Sequence, residues 1–217
     1  MDGSPPITPA DRLDALAAEA DGLSGEELLD LALTRHFRGS IAAVSSFGAE
    51  AALLLDMIAR IDPATPVIFL ETGKHFPETL RYRDRLIAKL GLSGVRNERP
   101  DAADRRQTDP DGHLWSRSPD ACCGLRKVRP LERALAGFDA WITGRKRFQA
   151  SSREALPRLE LADGRVKVNP LADWTQADVD AAFEARDLPR HPLVHQGYPS
   201  IGCLPCTRRV GEGEDPR

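Results

Sequence analysis

The chain has 217 residues, 41% of them apolar, a formal net charge of −3 and a sequence pI near 6.0. That length suits one α/β domain with a peripheral helical segment, and the charge balance argues against general nucleic-acid binding. Residues 1–10 lack the basic stretch and apolar run of a signal peptide, and no apolar run is long enough to span a membrane. The chain is therefore expected in the cytoplasm, where thiols stay reduced.

Residues 11–20 and 26–36 read as two short amphipathic helices packed on the outside of the core, with Ser24 and Glu27 as a capping box for the second. Residues 1–39 are accordingly an N-terminal helical segment ahead of an α/β domain over 40–210. Residues 41–44 (Ile-Ala-Ala-Val) read as a buried strand. Ser45, Ser46, Phe47, Gly48, Ala49 and Glu50 follow, and then a helix over 51–60. A small-residue turn between strand and helix offers free backbone N–H groups and a positive dipole end, which suits a phosphate. It is neither a Walker loop nor a dinucleotide fingerprint. An ordinary βα turn is the competing reading.

A second strand at 66–70 leads into a loop, Glu-Thr-Gly-Lys-His-Phe, that contains Thr72 and Gly73. Pro77 opens the next helix, to 90, and a third strand covers 95–98. In a doubly wound parallel sheet, loops at the carboxyl ends of strands carry the ligands. Residues 101–118 are polar, without period, and read as a mobile stretch. Ser118 and Pro119 then start a helix as N-cap and first residue, which places Cys122 and Cys123 where a helix dipole favours thiolates. A further helix spans 130–136, and a fourth strand, 140–143, runs into the basic loop Gly144-Arg145-Lys146-Arg147. A hairpin covers 159–168, and Thr175 with Asp178 caps a helix to about 186. Residues 211–217 read as a mobile tail. His191 and His195 are four apart, but Pro192 breaks a helical metal pair, so they read as loop or packing residues. His75 and His113 carry no ligand spacing.

Two pairs, Cys122-Cys123 and Cys203-Leu-Pro-Cys206, hold all 4 cysteines. A disulfide fits this compartment poorly. Zinc suits separated pairs, but adjacent helical residues point about 100° apart, awkwardly for one tetrahedral ion. A cubane cluster offers separate irons to separate thiolates, which ranks iron–sulfur above zinc on chemistry. Arg126, Lys127, Arg208 and Arg209 flank the pairs; such clusters are either solvated faces or cations that hold an oxyanion near the thiols.

These pairs, together with the stretches 45–50, 70–79, 122–128, 141–144 and 197–206, resemble the assimilatory adenylyl-sulfate reductases, the iron–sulfur-containing type of the APS/PAPS reductases, from about residue 40 onward. The resemblance implies an adenine-nucleotide α-hydrolase-like fold, a doubly wound and mostly parallel sheet. It implies a [4Fe–4S] cluster on Cys122, Cys123, Cys203 and Cys206. The implied substrate is adenosine 5′-phosphosulfate (APS), with its 3′-phosphorylated form (PAPS) as the alternative; the implied reductant is thioredoxin, and the implied assembly a homo-oligomer. Ser45, Ser46, Phe47, Gly48, Glu50, Thr72, Gly73, Gly144 and Arg145 match the substrate site. Arg126 and Lys127 match basic residues between cluster and sulfate, and Arg217 matches a tail arginine.

The family's nucleophile is a cysteine in a C-terminal Glu-Cys-Gly-Leu/Ile-His tail. With all 4 cysteines given to the cluster, none is left to attack. The expectation is that these residues bind APS and a cluster without completing turnover, the nucleophile lying on a tail beyond Arg217. Two other readings compete: a PP-loop ATP pyrophosphatase and a non-catalytic nucleotide-binding iron–sulfur protein.

Overall fold

The computed structural model describes residues 7–149 and 153–210. Arg217 and the tail 211–217 lie outside the described residues.

Six four-residue strands form one sheet in the order β3-β2-β1-β4-β6-β5. They are β1 Ile41–Val44, β2 Val67–Leu70, β3 Val95–Glu98, β4 Ala140–Thr143, β5 Leu159–Ala162 and β6 Arg165–Val168. Every pairing is parallel except the β5–β6 hairpin. The chain winds outward from β1 through β2 to β3, then returns to lay β4 on the other side of β1. That reversal opens a crevice at the carboxyl ends of β1 and β4. The register sets Val44 opposite Thr143, so the loops after both strands leave the sheet side by side.

The helices are α1 Pro9–Glu19, α2 Gly25–Leu31, α3 Ala51–Ile61, α4 Pro77–Leu90, α5 Ala102–Thr108, α6 Leu114–Arg117, α7 Pro119–Cys123, α8 Arg129–Ala134 and α9 Gln176–Ala185. Thr8, Ser24 and Thr175 each close a reciprocal capping box with the acid three residues on. Burial of α3 is nearly continuous from Ala52 to Ile58. Its one buried acid, Asp56, pairs with Arg60 and Arg186. No helix among the described residues is long and apolar enough to cross a membrane.

Three expectations change. The N-terminal helices do not merely coat the core: Leu16, Leu28, Leu29 and Phe37 are buried in its main cluster with Phe69 and Val168. The second helix covers the expected 26–36, but after Leu31 it widens from an α-helix into a π turn, Ala32–His36. The stretch 101–118 is ordered. Asp101 accepts the Ala103 and Asp104 N–H groups and so starts α5, and Asp109 is buried beyond its end. Helices of seven and four residues are too short to show an apolar period, which hides them from a sequence reading.

Candidate active site

The loop 45–50 runs from β1 into α3, and no side chain caps that helix. Its first turn presents a positive dipole end, while the Ala51 and Leu53 N–H groups donate to the Gly48 and Glu50 carbonyls at 3.2 and 3.3 Å. Phe47 has φ +50°, yet its side chain is fully buried and packs edge-on against Phe69 at 5.5 Å between centroids. The core thus holds the loop in a left-handed turn, and the Phe47 N–H donates to Ser45 Oγ at 3.1 Å. This corrects one expectation: the Phe47 side chain anchors the loop and does not face the crevice.

The crevice is a cavity of about 630 Å³. Ser45, Ser46, Gly48, Glu50, Gly144 and Arg145, all named from sequence, line it. Its floor adds Trp141 and Leu131, and its rim adds Gln149, Arg153 and Ser200. None of these five was given a site role from sequence, because residues of β4, α8 and two separate loops meet only when β4 docks on β1. Lys146 is buried and donates to Glu50 Oε2 at 2.7 Å, and Gln149 Nε2 donates to the same oxygen at 2.9 Å. Arg153 in turn donates to Gln149 Oε1 at 2.9 Å. The loop after β4 is thereby tied to the first turn of α3.

Pro199, Ser200 and Ile201 close one side of the cavity and run directly into Cys203. Gly48 touches this segment so closely that a β-carbon there would stand 3.0 Å from the Ile201 carbonyl oxygen. The anion loop and the second cysteine pair are thus adjacent by construction.

The four cysteines are free thiols; Cys122 and Cys203 are buried, Cys123 is half-buried and Cys206 exposed. Burial pushes the Cys122 thiol up, the Arg126 charge opposes this, and neighbours Cys123 and Cys203 add to it. Burial also raises Cys206, with Cys203 and Cys123 adding and Lys127 opposing. The two pairs therefore lie within electrostatic reach of each other, although 80 residues separate them in sequence. At Cys122, on α7, burial is the largest influence and raises the thiol, against the thiolate that the sequence led one to expect there. The chain continues through a wide turn, Gly124–Val128, into α8.

Around the thiols, the Cys203 sulfur meets Thr72 Oγ1 at 3.3 Å, and His75 bridges Cys203 through the backbone. Arg126 is turned inward, donating to the Thr72 carbonyl at 2.6 Å and to Asp109 at 2.5 Å. It does not line the cavity; nor do Thr72, Gly73 and Lys127. These four belong to the thiol corner instead. Among the described residues, no three of His, Cys, Asp and Glu converge as ligands of a single ion. Cys122 feels the charges of Cys123 and Cys203, and Cys206 those of Cys203 and Cys123, so the thiols are neighbours without being arranged around one ion. The buried Arg126 Nε has no partner, which leaves an unspent donor beside Cys122.

Residues 40–209 match the phosphoadenosine phosphosulfate reductase domain. The chain belongs to that family. It is 51% identical over 211 residues to an adenosine 5′-phosphosulfate reductase of Mesorhizobium japonicum, covering 95% of this chain and 83% of that one. It is 42% identical to a phosphoadenosine 5′-phosphosulfate reductase of Gloeobacter violaceus, over 94% of this chain and 87% of that one. Among solved structures, a phosphoadenylyl-sulfate reductase from Candida auris in a phosphate complex superposes with a TM-score of 0.78 at 29% identity, covering 95% of this chain and all of that one. FMN adenylyltransferase of Candida glabrata shares the fold alone, with a TM-score of 0.61 at 13% identity over 95% of this chain and 77% of that one.

Proposed function

We propose that this protein binds adenosine 5′-phosphosulfate and serves its reduction to sulfite and AMP in assimilatory sulfate reduction, in the cytoplasm. The observation that carries the reading is the shared segment: residues 199–201 wall the cavity and lead into Cys203. A nucleotide phosphate at the α3 N-terminus would lie beside the segment that leads to Cys203. The α/β unit 40–210 supplies the site, the helices of 1–39 support it, and a homo-oligomer is the assembly.

Cys122, Cys123, Cys203 and Cys206 would hold a [4Fe–4S] cluster, which when bound ties their two segments into one corner. Lys127, whose charge acts on Cys206, offsets negative charge at the sulfate end. Loop 45–50 and Arg145 hold the nucleotide. A fifth thiol, outside these four, attacks the sulfonyl sulfur. The bond from that sulfur to the bridging oxygen breaks, and AMP leaves with the electron pair. A thioredoxin thiolate then attacks the resulting S-sulfocysteine, sulfite departs with the S–S bonding electrons, and thioredoxin's second thiol resolves the mixed disulfide. Relatives span a greater length than this chain, which covers 83% of the Mesorhizobium protein and leaves room there for such a residue. Reduction of the 3′-phosphorylated substrate is the second reading, favoured by the name of the Gloeobacter relative.

Anaerobically purified, iron-loaded protein titrated with APS, PAPS, AMP and ATP tests this. Saturable APS binding that AMP displaces is the expected result, with PAPS weaker. AMP and pyrophosphate released from ATP, with no APS binding, would replace the reading with an ATP pyrophosphatase.

A further inference from the structure

Most of the stretch 99–118 is open to solvent, but Asp109 is not: its side chain is 0% exposed. Oδ2 accepts from Arg126 Nη2 at 2.5 Å, and Oδ1 accepts the Leu114 N–H at 2.8 Å. Burial works against this charge, yet the Arg126 and Leu114 hydrogen bonds and the Arg126 and Lys74 charges hold the carboxyl below its usual range. The other arm of the Arg126 fork donates to the Thr72 carbonyl at 2.6 Å. Thr72 Oγ1 accepts the Lys74 N–H at 3.2 Å and meets the Cys203 sulfur at 3.3 Å, a contact in which either atom could donate. A parallel strap runs beside it: Lys74 Nζ donates to the Gly112 carbonyl, and the Leu204 N–H donates to the Lys74 carbonyl, both at 2.7 Å.

A guanidinium is a rigid planar fork, so fixing one arm aims the other. Nothing in the chemistry of Thr72 alone sets its hydroxyl against Cys203; the loop after β2 must be held from outside. We propose that Asp109 is a positioning residue of the thiol site, which fixes Arg126, and through it Thr72, against the Cys203 sulfur. Asp109 lies 13 positions before Cys122 and 94 before Cys203 and carries no motif. Without its carboxylate the buried guanidinium is uncompensated, turns toward solvent and releases the Thr72 loop.

The inference rests on the thiol corner of the proposed function, but its main test needs no metal. In metal-free protein, the rate of iodoacetamide labelling at Cys203 is read by peptide mass spectrometry. Asp109→Asn is expected to raise that rate about tenfold. Asp56→Asn removes another buried aspartate that pairs with arginine, on α3 and away from the thiols, and is expected to leave Cys203 at the wild-type rate. If Asp109→Asn does not fold, Arg126→Lys keeps the charge, loses the fork and is expected to accelerate labelling in the same way. Labelling at the wild-type rate in a folded variant, or equal acceleration by Asp56→Asn, overturns the proposal. In iron-loaded protein, the visible circular dichroism of Asp109→Asn should differ from wild type, since it reads asymmetry at the sulfur ligands. A colourless wild-type protein would count against the cluster, while the metal-free labelling would still decide Asp109.

Discussion

A methyl group at position 48 would stand 3.0 Å from the Ile201 carbonyl oxygen and 3.2 Å from Ser46 Oγ. Backbone carbonyls yield less readily than side-chain ends, so Gly48→Ala should push the 199–201 wall away from the anion loop. Overpacking of this kind costs about 1–3 kcal/mol. We expect AMP to bind about tenfold more weakly to Gly48→Ala, measured by calorimetry, with the thermal midpoint lowered by about 2–10 °C. Unchanged AMP affinity would separate the loop from the cavity wall. At this scale the sequence showed that a small residue follows Phe47, but not why. The reason lies in a carbonyl 153 positions further along. The same limit applies to Phe47 itself: a buried aromatic and a ligand-facing one look alike in a string, and only the Phe69 contact distinguishes them.

Among the elements, α4 and the loop after α9 meet through His191, which is fully buried. The Leu193 N–H donates to its Nδ1 at 3.2 Å, so Nε2 carries the proton and faces Thr79 Oγ1 at 3.1 Å. Burial lowers its pKa from 6.5 to about 4, with Glu78 opposing and Arg85 assisting. The unfolded chain therefore binds a proton more readily than the folded one between those values. The stability contribution is complete above pH 6.5 and is lost as pH falls toward 4, by about 3 kcal/mol in all. Urea midpoints taken at pH 7 and pH 5 should differ for wild type, and His191→Gln should flatten the difference; equal slopes in both proteins would sink the assignment. The packing role expected of His191 follows from Pro192, a local signal. The capping boxes of α1, α2 and α9 are local too, spanning three residues each, and the boxes at Ser24 and Thr175 were therefore legible. Helices α5 and α6 were not, since seven and four residues are too few to show an apolar period, and Asp109 between them meets Arg126 only in the fold.

For the whole molecule, the two cysteine segments come together because β4 returns to the far side of β1 while the loop after β2 reaches the Cys203 segment through Lys74 and His75. A group bound by both segments adds its binding free energy to that of folding. Iron-loaded protein is expected to unfold at least about 5 °C above the same protein stripped by a chelator, read by differential scanning fluorimetry. Coincident midpoints in coloured and stripped samples would mean that the thiols do not share one group.

The sequence by itself determined the strand–loop–helix units, the parallel sheet with its antiparallel hairpin, the cysteine pairing and the family, because each depends on short-range pattern or on a spaced motif. The tertiary structure alone decided that Arg126 turns inward, that Trp141, Gln149 and Arg153 line the cavity, and that Asp109 is buried. Side-chain direction in loops is fixed by long-range partners, and hydrogen bonds spanning 17, 54 and 131 positions leave no periodic trace in the chain.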